Sequence, residues 1–327
     1  MIPSSWLAVF SCMVRYLLAL PFLIAATVPG AVAQDFEDFR AGPVLKFLYT
    51  IPSAEDSLKL LSRPVALSVD PLGHLYVADA DLHRILLFDR TGKLIRFVGG
   101  IGSGREQFDV PSDIWAEDGL NVYVADRNNH RIHLFDRQLN EVSIIPIGPY
   151  GDEEKGAGLP SGIAVSASGD LFISELEGNS LLKLSSFWRR IARIGQLESG
   201  PVPLERPGQL AVVEGKWVAC VDEKSAAVLL FDYYGNFLRE IRGRNWEQPN
   251  GIFYWKSRKL LLVADPGAAA IYVFRPEGQP QPVRPIGRAP LEIWKMPVDV
   301  AAYQDRLFVA DAARARVLVY QWVSNSE

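Results

Sequence analysis

Leu75 to Asp89 reads LYVADADLHRILLFD, and Val122 to Asp136, forty-seven positions on, reads VYVADRNNHRIHLFD. A period of this length marks a repeat architecture, in which each unit buries its apolar surface only against its neighbours. Working outward from these two stretches, six units emerge, each opened by a proline and carrying an acid on its second strand. They are Pro64 with Asp79, Pro111 with Asp126, Pro160 with Glu175, Pro207 with Asp222, Pro249 with Asp265, and Pro297 with Asp311. The offsets are 15, 15, 15, 15, 16 and 14 residues, a regularity that chance does not produce.

Each unit holds four short apolar runs separated by turn residues. In the first they are VALSV (65–69), HLYVAD (74–79), RILLFD (84–89) and KLIRFVG (93–99), with Asp70-Pro71-Leu72-Gly73 and Arg90-Thr91-Gly92 where hairpins need them. Four strands joined by short connections form an antiparallel meander, and a meander repeated every 47 residues or so is a propeller blade. The sixth unit ends after three strands. PVLKFLYTIP (43–52), ahead of the first unit, is a spare strand that supplies the fourth. The prediction is an all-β, six-bladed propeller of four-stranded antiparallel blades, closed when the N-terminal strand completes the last blade. Leu67, Ile114, Ile163, Leu210, Ile252 and Val300, each three positions after its proline, form one core column.

These motifs resemble the NHL-repeat propellers. The likeness is strong in VADADLHRILLFD, VADRNNHRIHLFD and the glycine-rich lead-in GGIGSGREQFDVPSDI (99–114), and degenerate in the last four units, which lack the histidine. The resemblance implies the fold more firmly than an activity, because such propellers host protein, RNA and polysaccharide binding as well as enzymes.

The N-terminus reads as a targeting segment. Arg15 precedes the apolar run LLALPFLIAATV (17–28), followed by Pro29, Gly30 and an Ala31-Val32-Ala33 cleavage site. This divides the chain into a signal peptide (1–33, with a start at Met13 giving a more ordinary leader), a linker (34–42), the propeller (43–322) and a tail (323–327). Cleavage near Ala33 directs the protein to the periplasm or exterior with no membrane span. It also leaves Cys220 as the single cysteine, and with no N-glycosylation sequon either, stability rests on the core. A net charge of -4 lacks the basic excess that nucleic acid requires.

The repeated Asp79, Asp126, Glu175, Asp222, Asp265 and Asp311 end a strand before a tight connection, which is an architectural place, with Arg84 and Arg131 as expected partners of their acids. All four histidines, His74, His83, His130 and His133, fall in the first two units, so a zinc centre built from several blades is not expected. Gly100, Gly102 and Gly104 precede a strand rather than a phosphate-binding helix and read as a flexible interblade loop. Trp246 and Trp294 stand in the column of Leu61, Phe108 and Leu204 and read as interblade plugs. On the face carrying the interblade loops, Tyr150, Asp113, Asn250 and Asp299 are candidate contacts. The function expected is a non-enzymatic, cofactor-free, monomeric platform for a protein or glycan. The alternative is a lactonase or esterase with Ca²⁺ held at the channel mouth by Asp113, Asn250 and Asp299.

Overall fold

Apolar residues fill nearly every position of the inner three strands of each unit, so both faces of each sheet must be covered, and radial stacking of the sheets covers them. In the first blade, Val77 packs toward the sixth blade with Ala301 and Phe308. Its neighbours Tyr76 and Ala78 point the other way, onto Ile114, Val122 and Val124 of the second blade. The strand's two-residue period thus serves two interfaces at once. The structure, a computed structural model, describes residues 44–53, 60–148, 158–196, 200–282, 284–286 and 294–323. Tyr150 lies outside the described residues.

The first blade runs Pro64–Val69, Leu75–Asp79, Arg84–Phe88 and Leu94–Gly99, hydrogen-bonded in chain order. Four further sheets repeat this order. The sixth blade takes its fourth strand from the N-terminus: Val44–Ile51 pairs antiparallel with Arg316–Val323, from Val44 opposite Val323 to Ile51 opposite Val317. The ring is therefore a six-bladed propeller closed by its N-terminal strand.

One departure from the four-stranded plan is visible. The outer strand of the fifth blade is only Gln281–Pro282, and the chain then crosses to add Arg284–Ile286 in parallel to the far side of Val44–Ile51. Pro280, Pro282 and Pro285 explain the break, because proline cannot donate to a ladder and is confined to sheet edges.

Strand direction defines two ends. The upper end carries the interblade loops and the turns between second and third strands. The lower end carries the first-to-second and third-to-fourth turns. The innermost strands, Pro64–Val69, Pro111–Trp115, Pro160–Val165, Pro207–Val213, Gly251–Trp255 and Pro297–Tyr303, surround the central channel.

Trp246 and Trp294 are buried between blades as read from their column, Trp246 against Tyr272 and Phe274, Trp294 against Tyr320. Among the described residues, no helix is long and apolar enough to cross a membrane.

Candidate active site

The repeated acids build the upper end. All six are fully buried. Asp79 accepts the backbone N–H groups of Ser62 (2.6 Å) and Arg63 (3.2 Å) from the preceding interblade loop and of Leu82 (3.0 Å) from its own turn. Asp222, Asp265 and Asp311 take the equivalent loop donors, Glu205, Glu247 and Lys295. Each carboxylate thus ties a blade to the loop that enters it, an architectural task done by charge-assisted hydrogen bonds. Arg131 reaches Asp126 at 2.8 Å as expected, whereas Arg84 donates instead to the Leu60 carbonyl and lies over Phe97.

The signature histidine position is a conformational one. His83, His130, Asn179, Ala226, Ala269 and Ala315 occupy equivalent turns, all with φ between 47° and 55°. His83 Nδ1 accepts the Val110 N–H, and His130 Nδ1 lies 2.8 Å from the Gly158 carbonyl, so each histidine also fastens the next interblade loop. His133 is buried between Asp126 and Glu141, 3.2 Å from each, against Phe108 and Phe135. The partnership with Glu141 has no signature in the sequence. The glycine-rich loop is pinned rather than flexible: Arg131 donates to the carbonyls of Ser103, Gly104 and Gln107, and Asn129 to that of Gly102.

The channel is lined by a column that alternates small residues with acceptors: Ala66, Asp113, Gly162, Gln209, Gly251, Asp299. An innermost strand has no neighbour on its channel side, so its N–H groups there need other partners. Asp113 accepts from Ile163 of the third blade (2.6 Å), Gln209 from Ile252 of the fifth (3.1 Å), and Asp299 from Leu67 of the first (2.7 Å). The small residues make this possible: a Cβ on Gly251 would lie 2.5 Å from Asp299 Oδ1, and one on Gly162 would lie 2.6 Å from the Gly208 carbonyl. The other oxygens of Asp113 and Asp299 accept from Ile114 and Val300, and Gln209 Nε2 closes the ring onto Asp113 at 3.1 Å.

Burial raises both carboxyl pKa values, Asp299 to about 7, and the charge on Asp299 raises Asp113 further. The cavity beside them is about 20 Å³, room for one water-sized particle.

Calcium fits this donor set poorly. It takes six to eight oxygens, yet all four carboxylate oxygens and the glutamine carbonyl already accept N–H bonds. Asn250 stands apart from the ring, its N–H bound to the Ala264 carbonyl. Among the described residues no group of three or more His, Cys, Asp or Glu side chains is placed to hold a metal.

Above the ring lies a cationic mouth. Arg127, directly after Asp126, extends over the second and third blades and donates Nη2 to Ser161 Oγ at 3.0 Å. It has no carboxylate in ion-pair range among the described residues, and its buried Nε has no partner. Burial lowers its pKa; Glu223 opposes this, Arg206 and Arg63 add to it, and Asp113 opposes it. By contrast Arg206 pairs with Glu223 at 2.9 Å and Arg63 with Asp81 at 2.6 Å. The sequence signal for this mouth was a repeat column that stops repeating: the residues after the six acids are Ala80, Arg127, Leu176, Glu223, Pro266 and Ala312.

No protein-family model matches the chain. No curated protein matches it either. Solved structures do match. A streptogramin B lyase aligns over 81% of this chain and 84% of its own at 14% identity, with a TM-score of 0.56. A catalytically inactive virginiamycin B lyase from Staphylococcus aureus with quinupristin aligns over 83% and 87% at 12% identity, TM-score 0.57. Selenomethionine-substituted virginiamycin B lyase from the same organism aligns over 85% and 99%, also at 12% identity and 0.57. Likeness at this identity establishes the fold. The expectation of a non-enzymatic platform is corrected by these matches, which are structures of lyases.

Proposed function

We propose that the chain is an enzyme that cleaves ester or lactone bonds in small substrates bearing a carboxylate, at the upper mouth of the channel. The observation that carries this is Arg127. A partly buried guanidinium with no carboxylate in ion-pair range among the described residues is costly to a fold, and an anionic substrate group would supply what it lacks. Arginine's planar donor fork matches a carboxylate in two parallel hydrogen bonds. Ser161 takes one N–H of Nη2, and with Nε buried the Nη1–Nη2 edge is the one left for the ligand.

Glu223, the carboxylate nearest in this cluster, is the residue for proton transfer. Its Oε1 hangs over Gly208, where an added Cβ would lie 3.1 Å away, and Arg206 holds the other oxygen. In the proposed reaction Glu223 removes a proton from water as the oxygen attacks the acyl carbon. The acyl C–O bond then breaks, and the leaving oxygen takes that proton back. The fold shared with lyases supports an enzyme reading at the level of scaffold only. We further assign the blades to the NHL type on VADADLHRILLFD and VADRNNHRIHLFD, and place the mature chain outside the cytoplasm on the N-terminal apolar run.

The test is a panel of esters and lactones, each as a carboxylate-bearing and a neutral version, with quinupristin included. Turnover of carboxylate-bearing members, abolished in Glu223→Gln, is the expected result. Turnover that survives Glu223→Gln unchanged would overturn the assignment of the base.

A further inference from the structure

A polar cluster at the lower end, between the third and fourth blades, takes no part in the mouth. The column eight residues after each repeated acid is Leu87, Leu134, Lys183, Leu230, Val273 and Val319, so a lysine stands where every other blade has an aliphatic side chain. Lys183 is buried all the same. Its Nζ donates to the Tyr233 carbonyl at 3.0 Å, lies 3.7 Å from the centre of the Tyr233 ring and stands 3.5 Å from Asp170 Oδ2. One carboxylate and one aromatic face thus hold a buried cation in place.

The hydroxyls beside it form a chain with a fixed direction. Tyr233 Oη lies 2.7 Å from Asp170 Oδ2 and 2.8 Å from Ser168 Oγ, with Ser166 Oγ at 3.0 Å. An ionised carboxylate only accepts, so the phenol gives its one proton to Asp170. Tyr233 must then accept from Ser168, whose hydroxyl supplies the proton of the 2.8 Å bond. Ser168 is exposed on the turn between the first two strands of the third blade. It is a surface nucleophile whose proton has a route to a carboxylate, with a cation beside that route. Two aromatic rings flank it. Tyr234, 81% exposed, follows Tyr233. Phe187, 84% exposed, follows Ser186, whose Cβ lies 3.1 Å from where a Cβ on Gly169 would stand.

We propose that Ser168 is a second reactive centre, which takes the acyl group from esters that carry an aromatic ring. Its Oγ bonds to the acyl carbon as its proton passes to Tyr233 and the Tyr233 proton passes to Asp170. The acyl C–O bond then breaks. Tyr233 protonates the leaving oxygen and Asp170 returns its proton to Tyr233, leaving an acyl-serine and an alcohol.

The test labels the full chain with phenylmethanesulfonyl fluoride, in which an Oγ–S bond forms, the S–F bond breaks and fluoride leaves. Peptide mass spectrometry is expected to place the sulfonyl group on Ser168, to lose it in Ser168→Ala, and to find it undiminished in Glu223→Gln, whose base belongs to the mouth. Tyr233→Phe keeps the ring beneath Lys183 and removes the relay. Its labelling should be about 100-fold slower and rise in proportion to hydroxide, whereas the wild-type rate stays level between about pH 6 and about pH 8. Methanesulfonyl fluoride, which lacks the ring, should label about tenfold more slowly after correction for its hydrolysis in buffer. No adduct on Ser168, or one formed in Tyr233→Phe with the wild-type rate and pH dependence, would overturn the proposal. Equal rates for the two reagents would overturn its aromatic selectivity.

Discussion

Replacing Asp299 by asparagine should remove a pH dependence that the channel ring builds into the fold. The carboxyl titrates near 7 in the folded protein against an ordinary 3.8, because burial disfavours its charge more than the Leu67 and Val300 N–H groups favour it. The folded state therefore holds the proton more tightly than the unfolded state. The resulting stability is complete below the unfolded value and is lost as pH rises through the folded one. A shift of about three units corresponds to about 4 kcal/mol, of which roughly 3 kcal/mol falls between about pH 5 and about pH 8.

For a domain of this size that is a decline of about 5 °C in melting temperature. The amide of the Asp299→Asn variant cannot ionise. It keeps one acceptor for Leu67 or Val300 and lowers the baseline by about 1 to 3 kcal/mol, but its curve lacks this decline. Differential scanning calorimetry of both proteins across that range, at fixed ionic strength, reads the difference directly. Curves that run parallel to within about 1 °C would refute the reasoning.

Three further predictions concern the scaffold. Ala226→Gly, Ala269→Gly and Ala315→Gly relieve left-handed backbone at φ of 49°, 47° and 52°, and each should add about 1 kcal/mol by denaturant unfolding. Gly251→Ala puts a methyl group 2.5 Å from Asp299 Oδ1 and 2.7 Å from the Val298 carbonyl, and should cost about 3 kcal/mol in the same assay. Arg131→Met removes the donors that hold the carbonyls of Ser103, Gly104 and Gln107. Limited proteolysis should then cut that loop at least tenfold faster, and an unchanged rate would contradict the pinning role.

The fold was legible because its determinants repeat. Proline, acid and apolar columns recur in every unit, and the unmatched strand at 43–52 announced the closure. The crossing of the chain between blades after Pro282 was not, because the three prolines within residues 280–285 mark an edge without naming the neighbour it joins.

For the site, Asp113 and Asp299 could be placed at the channel mouth, since they stand just after the prolines that open their blades. Their role could not be read: whether an acid faces a cation or a backbone N–H depends on strand edges that only the closed ring defines. Arg127 escaped notice for a related reason. Its significance is that no carboxylate stands in ion-pair range of it among the described residues, which the net charge of the chain does not reveal.

The central claim is that the mouth is a catalytic site organised by Arg127. The most direct measurement is kcat/KM for the fastest carboxylate-bearing substrate and its neutral analogue, in the wild type and in Arg127→Ala. The account predicts a loss of about 100-fold, or ~2.7 kcal/mol, on the anionic substrate and less than about threefold on the neutral one. Equal losses on both, or none on either, would contradict it.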